Sequence, residues 1–267
     1  MRLPTTDGFL NGKNNLLRKA LEKGRYKVRH TLSSIPWKSI FTSKCAWGLF
    51  VCHSTDAWFQ HTLPAVLPTY MANVLDFGMT QIGLAMILPY LLQGFVALLG
   101  SQITDLLRRK NVITTTNIRK ISSFLSASMS GLFLVLSGYV GGNQYAVISL
   151  FTMSIAVLGL VFSGYQCNAL DIAPRYSGIV YGISNTIAHI FAFFGPFSAG
   201  YIVVNKQSVS LWQNLFWLSF GINLTGVTAY AILGSGDEQP WAKADTCDNR
   251  SGKVVETEND RLTTTLH

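Results

Sequence analysis

His53, Asp56 and Gln60 stand at i, i+3 and i+7 in an apolar stretch from Cys45 to Leu67, so a helix would put all three on one face. A carboxylate beside an imidazole is a pair that can couple to a proton or hold a ligand. An unpaired carboxylate in the middle of a bilayer costs at least ~2.5–3.5 kcal/mol. Asp56 must therefore pair, take up a proton or face a water-filled cavity. Two readings stay open: a working group in a cavity, or a helix shifted along its axis with Asp56 near an interface. His61 falls on a different face. A second stripe joins Gly182, Asn185 and His189. It either lines a cavity or carries a histidine bonded to a neighbouring helix. Gln93 and Asn223 are weaker polar candidates of the same kind. No Ser–His–Asp order, P-loop or metal motif is present, so neither an enzyme nor a resident metal or cofactor is expected.

These groups need a scaffold that crosses a membrane. The chain is 49% hydrophobic and only 13% charged, against about 25% charged in a soluble domain. The uncharged run from Ile82 ends abruptly at Asp105, Arg108, Arg109 and Lys110. At ~1.5 Å per residue such a run spans the ~30 Å hydrocarbon core. Six apolar spans are expected: Cys45 to Leu67, Ile82 to Leu107, Ser122 to Tyr139, Tyr145 to Tyr165, Gly178 to Val204 and Leu211 to Leu233. The predicted fold class is an all-α polytopic membrane protein. Three regions follow: a basic cytoplasmic segment over 1–44, a six-helix bundle over 45–235 and a polar, disordered tail over 236–267.

Charge sets the orientation. Lys and Arg crowd the first 44 residues, the connector from Arg108 to Lys120 and, through Arg175, the connector after span four. The opposite loops hold only Lys206. Both termini are expected in the cytoplasm. The net charge of +8 follows from this topology, and nucleic acid is not an expected partner. No apolar run follows Met1, so no signal peptide is visible; Leu16 to Leu21 could form an amphipathic helix. Cys45, Cys52, Cys167 and Cys247 show no metal-ligand spacing. Cys45 and Cys52 lie too far apart along one helix for a disulfide. Pro64, Pro89 and Pro196 should kink their helices. The small-residue pairs Gly178 with Gly182 and Gly159 with Ser163 read as close-packing faces.

Gly100, Asp105, Arg108 and Arg109 follow the G-x4-D-x-x-R spacing of a cytoplasmic loop in major facilitator superfamily transporters, which the chain resembles. The glycine would let two helices approach, and the aspartate would cap a helix or pair with an arginine as a latch. Asn168, Asp171, Pro174 and Arg175, followed by Gly182 and Asn185, look like the signature of the anion transporter family. That family includes sialin, the vesicular glutamate transporters and the sodium-phosphate cotransporters. Gly236, Gln239 and Trp241 resemble its carboxyl-terminal G-E-x-Q-x-W motif. Leu67 to Met71 and Ile35 to Ser43 resemble segments at the two ends of the family's seventh helix.

The resemblance covers roughly residues 35 to 241 and matches only the second six-helix half of a twelve-helix carrier. It implies transport of an organic or inorganic anion by alternating access, coupled to a proton or sodium gradient, with this chain as a partial one. A non-transporting membrane fragment that modulates a full-length transporter is the alternative. Expected partners are membrane lipid, a small anionic substrate, and a missing first half or a full-length transporter. The membrane would be the plasma membrane or that of a vesicle or lysosome. His53, Asp56, Gln60, Asn185 and His189 would line the cavity; Gly100, Asp105, Arg108 and Arg109 would serve gating. The glutamate branch has an arginine in the seventh helix where Asp56 stands here, so the sialin-like and phosphate-like branches fit better. His53 matches a histidine in sialin.

Overall fold

A computed structural model describes residues 35–141, 143–203 and 208–243. Leu16 to Leu21, Lys206, Cys247 and the tail from residue 244 lie outside these described residues. The described residues are helical, without strands. A short helix α1 (Trp37–Thr42) leads into α2 (Lys44–Asn73) and α3 (Met79–Arg109). Then come α4 (Thr115–Ser137), α5 (Gln144–Val157), a one-turn α6 (Asn168–Ile172), α7 (Ser177–Val203) and α8 (Val209–Leu233).

Local chemistry starts and stops these helices. Ser43, Thr114 and Asn143 cap α2, α4 and α5, their side chains accepting from the backbone N–H of Ala46, Asn117 and Ala146. Helix α3 stops at Arg109, and two residues on Asn111 has a left-handed φ of 52°, a conformation asparagine tolerates.

Among the described residues five segments are long and apolar enough to cross a membrane: Met79–Arg109, Thr115–Ser137, Gln144–Ile172, Pro174–Ile202 and Val209–Leu233. Helix α2 has the length, at 30 residues, but a run from His53 to Thr62 dense in polar residues lowers its apolar character. It occupies the centre instead, packing chiefly on α7 and α8. Its polar groups are thus buried against protein. Helix α3 is the opposite case. It is strongly apolar yet largely uncovered, with Leu84, Leu91, Phe95 and Leu98 all more than half exposed.

Three boundaries differ from the sequence expectation. Helix α2 runs through Pro64 and Pro68 to Asn73. Helix α4 begins at Thr115, so Arg119 and Lys120 sit in a helix and not in a connector. The fourth span is not one regular helix. After Val157 it tightens into 3₁₀ turns over Leu158–Phe162 and Tyr165–Cys167. Gly159 lies against the backbone of Gln93 and Ala97 in α3, and Gly164 against Ser123 in α4, where a side chain would collide. The expected packing role of Gly159 therefore holds, whereas Gly178 and Gly182 have open space beside them.

The two ends of the bundle differ. At one, Tyr70, Phe151, Trp212 and Phe216 form an aromatic cluster, with Tyr70 and Trp212 edge-on at 5.0 Å. The other gathers the start of α2, the basic end of α3 and the chain after α8. There Gly236 N donates to Thr116 Oγ1 at 2.8 Å, and Gln239 N donates to the Ile172 carbonyl at 2.9 Å. Residues 236–243 are therefore docked on the bundle, not disordered. This gathering agrees with the basic segments sharing one side of a membrane.

Candidate functional site in the helix interior

Asp56 lies roughly 18 Å along a helix about 45 Å long, at ~1.5 Å per residue. Its residue is only 3% exposed. The break in the fourth span turns Tyr165 toward it. The Tyr165 hydroxyl donates to Asp56 Oδ2 at 2.6 Å, and Gln60 Nε2 donates to the same oxygen at 2.6 Å. Both partners are neutral. Among the described residues the ion pair lies elsewhere, between Arg119 and Asp171. A carboxyl held by neutral donors can gain or lose a proton without breaking a salt bridge.

The network extends to α7. Gln166 Nε2 donates to the Tyr165 hydroxyl at 3.2 Å, and the Tyr181 hydroxyl donates to Gln166 Oε1 at 2.8 Å. His53 does not bond Asp56 as the expected pair; its Nδ1 meets Ser184 Oγ at 2.8 Å. Its ring lies between Tyr165 and Tyr181, with centroids at 5.5 and 5.6 Å. Helical spacing puts residues 53 and 56 on one face, but their side chains find partners on different elements. Gln60 is the member of the expected trio that joins Asp56 directly.

His189 and Asn185 follow a second line. The His189 ring is exposed, donates from Nδ1 to the Asn185 carbonyl at 2.9 Å, and meets His61 of α2 with centroids 5.1 Å apart. Asn185 thus contacts His189 through its backbone. Gly178, Gly182, Tyr181 and His189 all lie on the open side of α7.

The motif residues occupy the basic end. Asp105, Arg108 and Arg109 are exposed on the last turns of α3. Asp105 caps no helix start, and among the described residues it forms no ion pair. Gly100 is buried against Leu160 and Ser163, so two elements do approach there. The charge pairing belongs instead to Asp171, which accepts from Arg119 Nε at 2.7 Å while Arg119 Nη1 donates to the Ser163 carbonyl. Asn168 Nδ2 donates to the Ser235 carbonyl at 2.7 Å, tying the signature to the chain after α8. Pro174 opens a 3₁₀ turn, and the Arg175 guanidinium lies over the Tyr176 ring. Sequence reasoning missed Tyr165, Gln166, Tyr181, Ser184 and the pairing of Arg119. The glycines at 159 and 164 just before Tyr165 and Gln166 in an apolar run were the available signal in the sequence for Tyr165.

Comparison with known proteins decides the family. The model of the Major Facilitator Superfamily matches residues 49–254. The chain belongs to the major facilitator superfamily. Within it the relatives are anion transporters. The chain is 34% identical to human sialin over 82% of its own length and 44% of sialin's. It is 33% identical to vesicular glutamate transporter 2.2 of Danio rerio over 84% of this chain and 38% of that one. An uncharacterized transporter of Caenorhabditis elegans is 33% identical over 84% of this chain and 45% of its own. The chain thus spans under half the length of these relatives. It is a multi-pass membrane protein of a transporter family, a family not classed among enzymes.

Proposed function

We propose that the chain supplies one six-helix half of a carrier for a small organic or inorganic anion. Alternating access against a first half would drive it, coupled to a proton or sodium gradient. The carrying observation is Asp56: a carboxyl inside the bundle, satisfied by Tyr165 and Gln60 and, among the described residues, by no cation. Such a group is suited to exchanging a proton during a transport cycle. The exposed apolar face of α3 and the open, partly polar face of α7 are the surfaces a first half would cover. Sialin-like or phosphate-like anions fit better than a dicarboxylate, because Asp56 brings negative charge where a cation would be wanted. Its membrane would be the plasma membrane or that of a vesicle or lysosome.

The same uncovered α3 face supports a second reading, a non-transporting partner that docks on a full-length carrier. Uptake in proteoliposomes separates the two. Alone, the chain should give little gradient-driven uptake of phosphate, sialic acid or glutamate. Joined to the first half of a relative, it should give uptake that an imposed proton or sodium gradient accelerates. A joined protein that inserts and folds but never responds to either gradient would overturn the coupled-carrier reading.

A further inference from the structure

Small residues bring α2 and α7 together: Ala57 packs with Ala188 and Ala192. One turn beyond Ala57, this approach sets His61 of α2 against His189 of α7, with ring centroids 5.1 Å apart and planes at 74°. Each ring is held in the same way. His61 Nδ1 lies 2.8 Å from the Ala57 carbonyl, and His189 Nδ1 lies 2.9 Å from the Asn185 carbonyl. A carbonyl oxygen can only accept, so both Nδ1 atoms carry the hydrogen. Each neutral imidazole then keeps its free lone pair on Nε2. Among the described residues neither Nε2 has a hydrogen-bond partner. A ring fixed by a backbone carbonyl on one nitrogen and left open on the other is the usual preparation of a metal-ligating histidine.

The spacing fits as well. Two imidazoles bound through nitrogen at ~2.0–2.1 Å to one tetrahedral ion have centroids about 5 Å apart. Both residues are exposed on the open face, so an ion can reach them. Among the described residues no third His, Cys, Asp or Glu completes a metal-holding group. The remaining coordination positions would go to water or small anions, giving an exchangeable ion and not a structural one. Imidazole donors select late first-row divalent ions.

We propose that His61 and His189 form a two-histidine site for Zn²⁺ that bridges α2 and α7. Binding there cross-links two walls of the same half. The site stands on the α2–α7 geometry and does not depend on the transport reading, so a failed uptake assay leaves it untouched.

The test is titration of the purified chain in detergent with Co²⁺, followed by its visible absorption and then by displacement with Zn²⁺. One ion should bind per chain. His61→Ala and His189→Ala should each weaken binding by more than about 10-fold, the least that loss of a supporting partner costs such a site. His61→Cys should retain binding, with the sulfur-to-metal absorption of a thiolate ligand, which establishes folding and ligation together. Absence of binding at submillimolar Zn²⁺, or binding that survives both alanine substitutions, would overturn the site.

Discussion

At the residue scale, the buried polar groups are unequal. Asp56→Asn keeps an acceptor for Tyr165 and removes the titratable proton. In a joined carrier it should leave the amount of folded protein near normal and flatten the pH dependence of uptake. A lowered folded yield with an unchanged pH profile would make Asp56 structural. Tyr165→Phe leaves Asp56 with one donor fewer, and an unmet buried polar group costs ~1–3 kcal/mol. The expected readout is a fall in melting temperature in detergent, larger than that of Tyr181→Phe, whose hydroxyl donates to the half-buried Gln166. Arg119 and Asp171 form a largely buried pair, with side chains 10% and 13% exposed. Arg119→Ala strands Asp171 and should cost about 3–5 kcal/mol by the same melting assay. Arg119→Lys, with a single point of charge, should recover part of that. Spacing on one helix put His53, Asp56 and Gln60 on one face, and of these Gln60 bonds Asp56. It could not foresee Tyr165, because that contact joins residues 109 positions apart.

At the element scale, glycines separate into those that are packed and those that are open. Gly159 faces the backbone of α3, so Gly159→Ala forces α3 and the 3₁₀ turn apart. Overpacking of this kind costs typically ~1–3 kcal/mol. Gly182 has no atom near its would-be side chain, and alanine favours a helix by roughly 0.5–1 kcal/mol. Gly182→Ala should therefore be neutral or stabilising in the isolated chain, as thermal unfolding would register. A loss at Gly182 equal to that at Gly159 would mean that both faces are packed. Small-residue spacing is the same for both pairs in the sequence, and only the placement of neighbours tells them apart. The fourth span carries the same lesson. Its apolar run reads as one helix, but close approach at Gly159 and Gly164 breaks it and sends Tyr165 inward.

At the scale of the whole molecule, topology is the accessible test. Exposed cysteines introduced at Asn117 and Asn143 sit at opposite ends of the bundle, beside the basic connector and at the start of α5. Membrane-impermeant reagent should label position 117 from the cytoplasmic side only and position 143 from the other. Labelling of 117 from outside would reverse the orientation. The sequence alone determined the helical membrane class, the approximate spans, the charge asymmetry and the family motifs. Those properties are written in local hydropathy and spacing, which act over one or two turns of chain. Only the tertiary structure decided that the most polar long helix lies at the centre and that the strongly apolar α3 lies at the edge. It also decided that Arg119 pairs with Asp171, that Gly236 to Trp241 dock on the bundle, and that His61 meets His189. Each is a contact between segments far apart in sequence. Burial of a polar group depends on which neighbour covers it, and that is set by how the helices pack.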